Sequence, residues 1–244
     1  MLPYLRFELL RTLRDRRFVL FTVAFPLGIY LLFSHIDDGG QRDGGLALAS
    51  YLLVAMAAYG AMGATMSAGS ARMAAERASG WIRQLRATPL PAHGYLTVKL
   101  AAGMLLALPA LLVVALAGVL TGGVHLPPLH WAELLGLLWL GALPFAGLGI
   151  LLGCLLDATS SQPAMIATYM LLAVLGGMWA PVDAMPQALR AAAHALPSYH
   201  FADLGWRAIA GSAPAPADLL TLAAYAVGFG ALAIWAWRRR VAAR

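Results

Sequence analysis

The sequence predicts an all-α integral membrane protein with six transmembrane helices, and three observations carry that reading. Of its 244 residues, 61% are hydrophobic and 11% are charged, whereas about a quarter of an ordinary soluble domain is charged. Six apolar stretches approach the length of about 20 residues that a helix needs to cross a bilayer. The basic residues are also clustered, with 14 of the 17 falling in three groups separated by even numbers of spans. A soluble core of this length cannot hide so much apolar surface. The composition therefore excludes a disordered chain, a disulfide-stapled secreted fold and an ordinary cytosolic enzyme.

The predicted spans are 18–36, 46–69, 100–121, 134–156, 164–182 and 219–237, and none contains Asp, Glu, Lys or Arg. Such a residue costs on the order of 2.5–3.5 kcal/mol at a helix centre, so its absence supports every span. The first span has a basic flank like that of a signal peptide. No small-residue cleavage site directly follows its apolar run, which predicts a retained span. Within 1–17, Leu2, Leu5, Leu9 and Leu13 recur at spacings of three and four, with Arg6, Arg11 and Arg14 on other faces. That pattern predicts an amphipathic helix lying in the membrane interface.

Charge then orients the bundle. Arg6, Arg11, Arg14, Arg16 and Arg17 precede the first span. Arg72, Arg77, Arg83, Arg86 and Lys99 lie between the second and third, and Arg238, Arg239, Arg240 and Arg244 follow the last. Only Arg42, Arg190 and Arg207 lie on the other side. By the positive-inside rule both termini are cytoplasmic. The net charge of +6 is therefore topology, and it points to membrane lipids as neighbours rather than to nucleic acid.

Catalytic chemistry is sparse. No His-Glu-x-x-His or Gly-x-Ser-x-Gly occurs, and His125 and His130 are separated by Pro127-Pro128, which keeps their rings off one helical face. The single cysteine, Cys154, lies in an apolar run, where a thiol is inert. No P-loop is present, and the lone lysine, Lys99, stands between Val98 and Leu100. The chain is thus expected to hold no catalytic residue, metal or cofactor and to draw its energy from another chain. Gly149 and Gly153 form a small-xxx-small pair for close helix packing within the chain. Pro26, Pro109 and Pro144 could kink three spans.

Two segments are specific. In the link 70–99, Trp81, Ile82 and Leu85 share one face of a short helix that Pro89 and Pro91 would end. This is a docking knob for a cytosolic partner or, on the plainer reading, a helix lying flat on the membrane. On the outer side, 183–218 contains two helical pieces, 187–195 and 201–210, joined through Leu196-Pro197-Ser198-Tyr199. Both are too short to span, so they predict a broken, partly re-entrant hairpin packed against protein.

The pattern Glu76-Arg77-x-x-Gly80, followed by Leu85 and Thr88-Pro89-Leu90 between the second and third of six spans, resembles the type-2 permease family of ATP-binding-cassette (ABC) exporters. Trp81 departs from the Thr or Ser more usual after that glycine. The resemblance implies a single transmembrane permease domain over 1–244, with an elbow helix at 1–17 and a cytoplasmic coupling helix. It assigns ATPase coupling to Glu76, Arg77, Gly80, Trp81, Arg83, Leu85, Thr88 and Pro89. It makes Leu196, Pro197, Tyr199 and Arg207 part of an outer gate. It further implies two copies of an ABC ATP-binding subunit carrying ATP and Mg, and a second permease copy or homologue. The substrate would be amphiphilic or hydrophobic, such as a drug, an antibiotic or a lipid-linked molecule, exported across a bacterial inner membrane. Two other classes are open to the residues alone. A secondary transporter could hold ions on backbone carbonyls of broken helices, and a non-transporting protein could anchor or sense for a partner.

Overall fold

The computed structural model describes residues 1–34, 46–86, 94–121 and 124–239, without the side chains of Arg83, Leu85 and Arg86. In chain order the helices are α1 (Leu2–Leu13), α2 (Arg16–Phe33), α3 (Leu48–Gly69), α4 (Ala71–Ala78), α5 (Trp81–Arg86) and α6 (Gly94–Leu120). They continue with α7 (Pro128–Gly141), α8 (Leu143–Leu155), α9 (Ser161–Leu175), α10 (Gln187–Ala195), α11 (Pro197–Ile209) and α12 (Pro216–Trp237). Among the described residues, five helical stretches are long and apolar enough to cross a membrane: Arg16–Phe33, Leu48–Ala78, Gly94–Leu120, Pro128–Leu155 and Pro216–Trp237. Ser161–Leu175 is apolar but shorter.

Helix α3 is the axis of the bundle. It has no polar stripe, and a helix apolar on every face is one that neighbours surround. From Leu53 to Met66 every residue is buried, with α2, α6, α8, α9 and α11 packed around it. Small residues permit this. A Cβ on Gly149 would stand 2.4 Å from the Met66 carbonyl oxygen, and one on Gly153 would stand 2.2 Å from that of Gly69. The Gly149/Gly153 pair therefore brings α8 into backbone contact with α3 inside the chain.

The predicted spans shift where local chemistry intervenes. Pro26 has no N–H to donate back along the ladder, and α2 absorbs the gap with a π-helical turn at Leu20–Ala24. Pro109 leaves α6 unbroken. The predicted fourth span is two helices, because the chain turns at Ala142 and Pro144 sits in the first turn of α8. The fifth stops at Leu175 rather than running to 182. Gly177 takes φ +82, and Met178 N–H bonds back to the Ala173 carbonyl at 3.0 Å, which closes the end of α9. Before α9, the Asp157 carboxylate accepts from Ser160 N–H at 2.7 Å and from the Thr159 hydroxyl at 2.9 Å. These bonds hold its pKa down, to about 2. Their stabilising effect is complete above the ordinary Asp value near 3.9 and fades as pH falls through about 2.

Two apolar clusters result. The larger surrounds α3 and includes Tyr59, Phe145 and Phe201. Tyr51 stacks on Trp206 at 5.0 Å, and Tyr169 donates to the Tyr59 carbonyl at 2.9 Å. The smaller lies at the end of the bundle where α4 leaves α3, and gathers Met73, Ile82, Tyr95, Ile150, Cys154 and Trp237. Trp237 stacks on Tyr95 at 5.0 Å and is buried.

Gly149→Ala is expected to destabilise the protein by about 1–3 kcal/mol, as overpacking does. Gly228→Ala on α12 has open space around it and should be neutral or stabilising, by up to ~1 kcal/mol. Thermal unfolding of both variants in detergent checks the contrast.

Candidate functional site

The link after α3 is where the sequence concentrates its signal, and the structure closes a buried ionic cluster there. Lys99 lies in the first turns of α6 with its side chain fully buried, and its Nζ stands 2.6 Å from Glu8 Oε1 of α1. The Glu76 carboxylate of α4 is 3.0 Å away. Tyr95, one turn before Lys99, donates its hydroxyl to Glu76 Oε2 at 2.6 Å. Arg11, half exposed, reaches Glu76 Oε1 at 3.3 Å. Two carboxylates and two cations balance, which is what makes burial of Glu8, Glu76 and Lys99 tolerable. Tyr4 stands beside them: its own burial, then the negative charges of Glu76 and Glu8, push its phenol pKa up.

A second layer fixes the joint between α1 and α2. Asp15 accepts from the N–H of Arg17 at 3.0 Å and so caps α2. Arg72 of α4 bonds to Asp15 Oδ2 at 3.0 Å and donates to the Thr12 hydroxyl, which itself donates to the Glu8 carbonyl at 2.8 Å. Residues 4, 8, 11, 12 and 15 thus share one face of α1 and its continuation, and that polar face turns inward. Leu2, Phe7, Leu10 and Leu13 are exposed.

Of the residues singled out from the sequence, those that the structure describes have definite places. Glu76 is in the buried cluster. Arg77 donates to the Leu156 carbonyl at 2.6 Å and to that of Cys154, the otherwise unpaired end of α8. Gly80 takes φ +76 at the turn between α4 and α5, where any other residue would be strained. Trp81 is half-buried and Ile82 is buried in the smaller cluster, so the expected face of Trp81, Ile82 and Leu85 is not an open one at Ile82. Among the described side chains of α4, α5 and the turn between them, the exposed ones are Ala75, Ala78, Ser79 and Gln84. Thr88 and Pro89 lie outside the described residues, as do the side chains of Arg83 and Leu85.

At the opposite end, Leu196 precedes α11 in extended conformation and Pro197 opens it, as a first-turn proline should. Tyr199 meets the His194 ring edge-on at 4.4 Å. Arg207 pairs with Asp203 at 2.5 Å and stands 3.6 Å from Asp218. Sequence reasoning did not join Glu8, Tyr95 and Lys99 to the motif. The available signal was the lone lysine one helical turn after a tyrosine, and a lone glutamate in a leucine-rich helix. Among the described residues, no group of three or more His, Cys, Asp or Glu side chains could hold a metal ion.

Residues 43–235 match the family described as ABC-2 family transporter protein. The chain belongs to the ABC-2 transporter family. A curated protein of Bacillus subtilis (strain 168), "Putative transport permease YvfS", is 32% identical over 237 residues, which cover 96% of each chain. This ABC-2 family member is a multi-pass membrane protein. Of the motif residues, Glu76 and Arg77 point into its bundle and tie α4 to three other helices, α1, α6 and α8.

Lys99→Met leaves Glu8 and Glu76 buried with Arg11 as the one cation that pairs with them among the described residues and is expected to destabilise by about 3–5 kcal/mol. Adding Glu8→Gln and Glu76→Gln should restore most of that loss. Denaturant unfolding of the single and triple variants in the same detergent measures the difference.

Proposed function

We propose that this chain is the membrane-spanning permease of an ATP-driven ABC exporter, and that the turn joining α4 and α5 is its coupling element. One observation carries the reading. The turn exposes Ala75, Ala78, Ser79 and Gln84, while its inner side is locked to α1 and α6 through Glu76 and to the end of α8 through Arg77. A partner pushing on the outer side would therefore move three parts of the bundle at once.

On this reading two ATP-binding subunits carry ATP and Mg and dock against the turn, and a second permease copy or homologue completes the path. The chain itself hydrolyses nothing. The family match and the transport permease relative support the class. Helix α1 serves as the elbow, its exposed Leu2, Phe7, Leu10 and Leu13 lying in the interface near anionic headgroups. Helix α9 with the segment up to Pro181 completes a sixth crossing, which puts both termini in the cytoplasm of a bacterial cell and α10–α11 outside. The whole chain then works as one permease domain. In the outer cap, Leu196, Pro197, Tyr199 and Arg207 form part of the gate. The described charges of the crossing helices are spent on each other or sit near helix ends, so the path suits an amphiphilic or hydrophobic substrate such as a drug, an antibiotic or a lipid-linked molecule.

The test is ATPase stimulation in proteoliposomes with the partner subunit. Ala78→Arg alters only an exposed position and is expected to lower stimulation about tenfold, the scale of one lost interface anchor. Gly80→Glu should do the same and lower stability as well. Undiminished stimulation in Ala78→Arg overturns the assignment of this turn.

A further inference from the structure

At the far end of α12 from the ionic cluster, about 30 Å along a helix of this length, the ring of His200 joins three helices. Its Nδ1 lies 2.7 Å from Asp218 Oδ1 in the first turn of α12. Its Nε2 lies 2.9 Å from the main-chain oxygen of His194 in the last turn of α10. Both contacts meet oxygen atoms. A neutral imidazole has one N–H and one bare nitrogen, so it cannot satisfy a carboxylate and a carbonyl together. The arrangement closes only with one more proton. Either an imidazolium donates from both nitrogens, or a protonated Asp218 donates to Nδ1 while Nε2–H donates to His194.

The surrounding charges ask for the same proton. Asp218 is buried at 4% exposure. Arg207 stands 2.5 Å from Asp203 and 3.6 Å from Asp218, so one guanidinium serves two carboxylates, and the extra proton brings the group to neutrality. The other titratable side chains near the ring are Tyr199, which meets it edge-on at 5.5 Å, His194, whose ring meets Tyr199 edge-on at 4.4 Å, and Tyr225 of α12, which donates to the Ala195 carbonyl at 2.8 Å.

We propose that His200 and Asp218 form a proton-binding site that latches α10 and α11 to the start of α12. Imidazole exchanges its proton in the range around neutrality. When the site is protonated the three helix ends are held through one ring. When the proton leaves, a bare ring nitrogen faces an oxygen and the latch loosens. The latch needs no ATPase partner, so its failure and that of the coupling turn are read separately.

Hydrogen exchange of residues 187–218 in the purified protein, in lipid nanodiscs, tests this at about pH 5.5 and about pH 8, corrected for intrinsic rates. Wild-type protection is expected to fall at least about threefold from the acidic to the alkaline condition. His200→Gln should show the low, alkaline level at both pH values. Asp218→Asn should stay protected at both, because its amide N–H₂ can donate to the bare Nδ1 of a neutral ring. Unchanged protection of α3 certifies that each variant is folded. Wild-type protection that does not change with pH overturns the proposal, as does either variant keeping the wild-type pH dependence.

Discussion

A lysine with no exposed side-chain surface can remain charged only if acceptors surround it, and Lys99 meets that condition by drawing Glu8 and Glu76 onto a single ammonium. The constraint orders the whole end of the bundle. Glu8 must face α6, so α1 presents its polar side to the protein. Glu76 must reach Lys99, so α4, packed on α8 and α3, turns that side chain toward the start of α6. With those two positions set, Arg11 and Tyr95 complete the bonding of Glu76, and Arg72 meets Thr12 and Asp15. Each link is modest, but together they join segments separated by 65 and 91 residues in the chain.

Packing elsewhere obeys a different rule. In lipid, apolar side chains gain little from being moved off the membrane onto one another, and close van der Waals approach becomes the main attraction. The small side chains of α3 serve that end, with α8 brought against Met66 and Gly69. Aromatic pairs then fill the wider gaps, as between Tyr59 and Tyr169 at 4.5 Å. Several aromatic polar groups find main-chain acceptors, Trp139 on Met104 at 2.8 Å and Tyr169 on Tyr59 at 2.9 Å among them, as a water-free interior favours.

The sequence made the helical, membrane-spanning class legible because charge exclusion over long runs has one physical cause. Boundaries were less legible. The break at Ala142 and the stop after Leu175 depend on Pro144 and Gly177, residues that membrane helices often tolerate without breaking, as α6 tolerates Pro109. The spacing of leucines in α1 correctly gave a helix, yet its polar face is the buried one, since the partners at 76 and 99 are remote in sequence. Glu76 and Arg77 stood out by pattern. Glu8, Tyr95 and Lys99 did not, because no periodicity links a lone charge in one helix to a lone charge in another. At the other end, Pro197 and Arg207 were visible, while His200 and Asp218 acquire meaning only when a loop brings them together.

The division of the apolar interior into two clusters has a consequence for cooperativity. The smaller one, from Met73 and Ile82 to Trp237, is contributed by helix ends and short helices, whereas the larger is built around the middle of α3. Structural units with separate cores open with separate free energies. The end that carries the ionic cluster thus has an apolar core of its own, and substitutions in it act on that end before they act on the packing around the middle of α3.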